Sequence, residues 1–147
     1  MKKFKFKLEP LLKIRKLKED QCKMLIGQVQ ARINQLHEYK QGELAGIESA
    51  YKAQEDGLEQ GMSGQEAQFH PYFVSAKKAR IKLIDNEVSE LQDKLKDMFK
   101  ELNKLRADVK VIEKMKEKEI KSYKKEYTKK QFATIEEQVQ NWKQTLK

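Results

Sequence analysis

In the second half of the chain, Ile84, Val88, Leu91, Leu95, Met98, Leu102, Leu105, Val109 and Ile112 recur at alternating spacings of four and three, and nothing polar breaks the series. Charged pairs such as Asp93-Lys94, Lys96-Asp97 and Lys100-Glu101 fill the intervals. A period of about 3.5 residues turns one narrow apolar stripe to the same side of a helix, and held over about four heptads it predicts a coiled coil. The register reaches back to Ile81 and Val74. Forwards it weakens to Ile120, Tyr123 and Tyr127, with Met115 three residues after Ile112, the mark of a stutter that alters local winding.

The first half carries a rougher version. Leu8, Leu11, Cys22, Leu25, Val29, Leu36 and Tyr39 fit one seam, with Arg15, Lys18 and Arg32 in its gaps, and Leu12, Ile14 and Ile33 widen the face. A second register picks up Leu44, Ile47, Tyr51 and Leu58. Gly27, Gly42, Gly46 and Gly57 lie inside this arm, each costing about 1 kcal/mol against Ala in a helix interior. Pro10 and Glu9 suit a helix start, the first by its fixed φ and the second by its charge.

Between the arms, Gly61-Met62-Ser63-Gly64 and the residues up to Pro71 break both patterns. The expectation is an all-α chain forming one elongated domain: arm 1 over about 8–60, a turn over about 61–71, arm 2 over about 72–130 and a C-terminal overhang over about 131–147. Two long helices would form an antiparallel coiled-coil hairpin, roughly 80 Å long at ~1.5 Å per residue. With the turn centred near 66, residue i faces roughly residue 132 − i, which sets Leu8 opposite Lys124. The overhang has its own heptad, Phe132, Ile135, Val139, Trp142 and Leu146. Either it covers Phe4, Phe6 and Leu8 or frays, or it is an apolar stripe for another protein.

Composition narrows the function. Charged residues make up 37% of the 147 and hydrophobic ones 38%, too polar a balance for an ordinary globule. No apolar run approaches the roughly 20 residues that span a bilayer, and MKKFKFKLEP lacks the apolar stretch of a secretory signal. The single Cys22 excludes an internal disulfide, so a cytoplasmic setting is the default. His37 and His70 lack metal-ligand spacing, Gly61-x-x-Gly64 lacks the Lys-Ser/Thr of a phosphate loop, and Cys22 falls on the apolar seam. No enzymatic activity, metal or cofactor is expected.

The net charge of +9 is uneven: +5 over residues 1–20, +5 over 110–130 and −5 over 36–72. Opposite charges at the two ends of a hairpin suggest two different partners. Specific nucleic-acid binding is disfavoured, because Glu113, Glu117, Glu119 and Glu126 interrupt the lysines and Arg is scarce.

The opening Phe4-x-Phe6-x-Leu8-Glu9-x-Leu11-Leu12-x-x-Arg15 resembles that of FliJ, the small component of the bacterial flagellar type III export apparatus. The length, the Lys/Glu-rich arms and the aromatics flanking the turn are also similar to that family. The resemblance implies a central stalk for the hexameric export ATPase, as the γ subunit is in rotary ATPases. It implies contact with the cytoplasmic domain of the export gate, and binding of empty export chaperones. The protein would then be cytoplasmic and reach the membrane only through partners. Leu36, Tyr39, Tyr72 and Phe73 match the gate-contacting patch, or else are seam residues. Phe4, Phe6, Leu8, Leu11, Leu12 and Arg15, with Lys121, Lys124 and Lys125, would meet the ATPase ring at the open end. Two other readings stay open: a stalk of an injectisome or another rotary ATPase, and a coiled-coil scaffold or nucleic-acid-associated protein.

Overall fold

The computed structural model describes residues 3–146. It holds two helices, α1 over Glu9–Gln60 and α2 over Gly64–Thr145, with no strand among the described residues. They pack against each other as an all-α hairpin. Two compact units divide the chain: one from the parts up to Asp20 and from Asn103 on, the other from Gln21–Leu102.

In the terminal unit, Phe6, Leu12, Val109 and Ile112 form the core, with Phe4 and Leu8 packed against it. The Glu9 N–H donates to the Phe6 carbonyl at 3.2 Å, folding the segment before α1 onto the helix pair. Ion pairs fix the alignment: Glu9 with Lys116 at 2.8 Å, Glu19 with Arg106 at 3.6 Å and Lys16 with Glu113 at 3.5 Å. Residue i therefore faces about residue 124 − i. This corrects the expected register, since Lys116 and not Lys124 stands at the start of α1.

In the other unit, Ile33, Leu36 and Val88 form one core cluster, flanked by Val29, Ile84, Leu91 and Leu95. Ile47, Ala50 and Val74 form a second, with Phe73 and Ile81 against it. Lys40 meets Asp85 at 2.8 Å and Glu43 meets Lys77 at 3.1 Å, the same antiparallel alignment.

The turn is shorter than the sequence predicts, and its centre accordingly lies near 62 rather than 66. Gly61 takes a positive φ of 92°, a conformation that ends a helix at little cost only for Gly. Ser63 then caps α2: its Oγ accepts from the Glu66 N–H at 3.1 Å, and its carbonyl from Ala67 at 3.0 Å. Ser63-x-x-Glu66 is the sequence form of a capping box. The second helix thus starts at Gly64 rather than Tyr72, and Pro71 lies inside it. Pro71 removes one N–H from the helix, a cost of about 3 kcal/mol. Packing of Phe73, Val74 and Ile81 on Ile47 and Ala50 offsets it.

Candidate functional site

From Leu12 on, the seam that α1 turns to its partner alternates in steps of three and four: Leu12, Arg15, Glu19, Cys22, Ile26, Val29, Ile33, Leu36, Lys40, Glu43, Ile47, Ala50, Gln54 and Gly57, with Gly46 half-buried beside it under Lys77. Charged residues occupy four of these positions, so the apolar pattern alone misplaced part of the seam. Leu11, Leu25, Tyr39, Leu44, Tyr51 and Leu58 are exposed, and there is no second register. The Cys22 thiol donates to the Met98 carbonyl at 3.7 Å, a half-buried seam residue.

This placement divides the candidate gate residues. Leu36 is only 2% exposed and belongs to the core with Ile33 and Val88, so it offers no side-chain surface while the helices stay paired. Phe73 packs on the Ile47 cluster, its ring 5.9 Å from that of Phe69 and 5.1 Å from the Lys77 ammonium. Tyr39 and Tyr72 are exposed, the latter at 78%. Gln35 Nε2 donates to the Tyr39 hydroxyl at 3.1 Å. Leu36 and Ile47 are separated by about 16 Å of α1 at ~1.5 Å per residue, so the four do not converge on one patch.

The candidate ring residues divide likewise. Phe6 and Leu12 are core; Phe4 and Leu8 are half-buried, Phe4 with its ring 5.5 Å from that of Tyr123. Arg15 donates through Nη1 to the Asp108 carbonyl at 3.1 Å. Leu11, Lys121, Lys124 and Lys125 are exposed. The N-terminal aromatic motif therefore builds the open end of the helix pair, and the lysines decorate it.

Beyond Tyr123 the picture changes. Every described residue from Lys124 to Leu146 is exposed, although α2 continues to Thr145. The overhang thus begins after Tyr123 rather than near 131, because the short turn shifted the register. It does not cover Phe4, Phe6 and Leu8, which Val109, Ile112 and Tyr123 cover instead. Phe132, Ile135, Val139, Trp142 and Leu146 form an open stripe on it, Trp142 at 63% exposure. Sequence reasoning found this stripe but placed the beginning of the overhang too late.

The stripe is not the seam continued. The seam of α2 runs through buried Val109 and Ile112 to half-buried Lys116, Ile120 and Tyr123, with Glu113 half-buried beside it, so two consecutive steps of four follow Ile112. The stutter is thus real, with Lys116 rather than the exposed Met115 on the seam. At ~100° per residue, the Phe132–Leu146 stripe lies about a third of a turn from the Ile120–Tyr127 line.

Comparison with known proteins decides the family. The family model described as "Flagellar FliJ protein" matches residues 4–142. The chain belongs to the FliJ family. It is therefore a flagellar export-related protein, of a family of non-catalytic components associated in general with the export apparatus. No curated protein and no solved structure matched. Among the described residues of this FliJ-family chain, no helix is long and apolar enough to cross a membrane.

Proposed function

We propose that this FliJ-family protein is a non-enzymatic stalk for the hexameric export ATPase and couples it to the export gate, working in the cytoplasm at the membrane export apparatus. The observation that carries the reading is the helix that leaves its partner at Tyr123 and runs on exposed, with Lys124, Lys125, Lys129 and Lys130 at its base. A single helix with lysines on its surface can make many weak, long-range contacts with an acidic pore lining. Such contacts do not require the rod to match a ring's symmetry. Tyr39 and Tyr72, exposed in the unit of opposite charge, are the side chains left for the gate or for an empty export chaperone.

The test is ATPase assembly. Purified export ATPase should form hexamers and hydrolyse ATP faster with the wild-type chain than alone. The triple variant Lys121→Gln, Lys124→Gln, Lys125→Gln should lose most of that gain at low salt. Equal hexamerisation and stimulation by wild type and variant would sink the reading. Salt-sensitive retention on DNA without ATPase binding would favour the nucleic-acid alternative.

A further inference from the structure

The stripe Phe132–Leu146 has no intrachain cover, and a lone helix segment of this length is marginal in water without one. We propose that it pairs with the same stripe of a second copy of this chain, antiparallel, with Ile135 against Leu146 and Val139 against Trp142. This goes beyond the stalk reading and does not depend on it.

Charge selects the occupant and its direction. Taking Phe132, Val139 and Leu146 as one set of core positions and Ile135 and Trp142 as the other, Glu136 and Lys143 flank the stripe on one side. Gln131, Gln138 and Thr145 flank it on the other. In an antiparallel pair like edges meet. The proposed register then sets Glu136 beside Lys143 of the second copy and Lys143 beside Glu136 of the second copy, two reciprocal ion pairs. Shifting the register by one heptad, so that Phe132 faces Trp142, sets Glu136 against Glu136 and Lys129 against Lys143.

A parallel pair gains nothing from these charges, because each would face Gln. It would also align Lys124, Lys125, Lys129 and Lys130 with their own copies. The antiparallel pair points the two lysine clusters apart. Short helix segments bury less than the ~1,200 Å² of a standard stable interface, so association should be weak and concentration-dependent.

Trp142 is the only tryptophan, so its emission reports the stripe alone. Sedimentation equilibrium of the full chain under reducing conditions, from micromolar to near-millimolar, should show a monomer–dimer equilibrium with a blue shift of Trp142 as dimer forms. Glu136→Lys alone and Lys143→Glu alone should each weaken dimerisation by roughly tenfold. The double variant Glu136→Lys, Lys143→Glu should recover it, because the swap rebuilds both pairs. Circular dichroism checks that each variant keeps its helix. A monomer at every concentration would overturn the proposal. So would dimerisation indifferent to the single changes, or a double variant no better than either single.

Discussion

Glu9 and Lys116 meet at 2.8 Å where α1 begins, and from that point α2 still has a long way to run to Thr145. The pair marks the end of two-helix packing more sharply than the apolar residues around it. Among the described residues it also sets the one clear perturbation of a titrating group. The hydrogen bond from Lys116, helped by the charges of Lys116, Lys13 and Lys16, holds the Glu9 carboxyl below its ordinary 4.5. The folded state thus keeps the proton off more strongly than the unfolded chain does. Its contribution is full above 4.5 and is lost as pH falls through the lower, folded value. A carboxyl titration followed by NMR should give Glu9 a midpoint below 4.5, moving back towards 4.5 in Lys116→Ala. An unmoved midpoint would contradict the pairing.

Glu43 is a seam carboxylate held between two cations. Lys77 lies 3.1 Å from its Oε2 and Arg80 3.8 Å from its Oε1, while that Oε2 has no aligned hydrogen bond. Lys77 reaches it by lying along Gly46, where an added Cβ would stand 3.2 Å from Lys77 Cε. Glu43→Ala leaves a mostly covered ammonium unpaired over Phe73, and should lower stability by about 1–2 kcal/mol in urea unfolding. Glu43→Leu with Lys77→Leu should cost less than Glu43→Ala, since an apolar pair leaves no stranded charge.

Gly27 and Gly42 have open space where a Cβ would go, and both lie mid-helix. Gly27→Ala and Gly42→Ala should each stabilise the protein by about 0.5–1 kcal/mol, through lower backbone freedom in the unfolded chain. Thermal unfolding checks this. A fall in melting temperature in either variant would mean that the glycine serves a contact the isolated chain does not make.

Leu36 and Tyr72 separate packing from surface. Leu36→Ala should cost about 2–4 kcal/mol by opening the Ile33–Val88 cluster, whereas Tyr72→Ala should stay within about 0.5 kcal/mol of wild type. If gate binding is lost in Tyr72→Ala without a change in stability, the exposed aromatic is a contact. If it is lost only in Leu36→Ala, the helix pair itself is what the gate requires.

The arm of α2 was legible in the sequence because an unbroken apolar series from Ile81 to Ile112 left one register open. The arm of α1 was less so, since Arg15, Glu19, Lys40 and Glu43 occupy seam positions and pair across the interface. A hydrophobicity pattern cannot see a charged residue buried by its stem and satisfied at its tip. The turn was misjudged for a related reason. Pro71 reads as a boundary, but the stronger signal is Ser63-x-x-Glu66, which starts the helix before it. That eight-residue shift in register moved the open end, and so Lys124 and Lys125 lie on unpaired helix rather than beside α1.

Hydrogen exchange over residues 124–145 tests most directly whether this unpaired helix is a docking element. At low micromolar concentration, where self-pairing is dissociated, its amides should exchange far faster than those of 84–112. With the hexameric export ATPase present, the same segment should gain protection. Protection in the isolated chain would contradict an unpaired helix. Unchanged fast exchange in the ATPase complex would contradict its role as the element that docks.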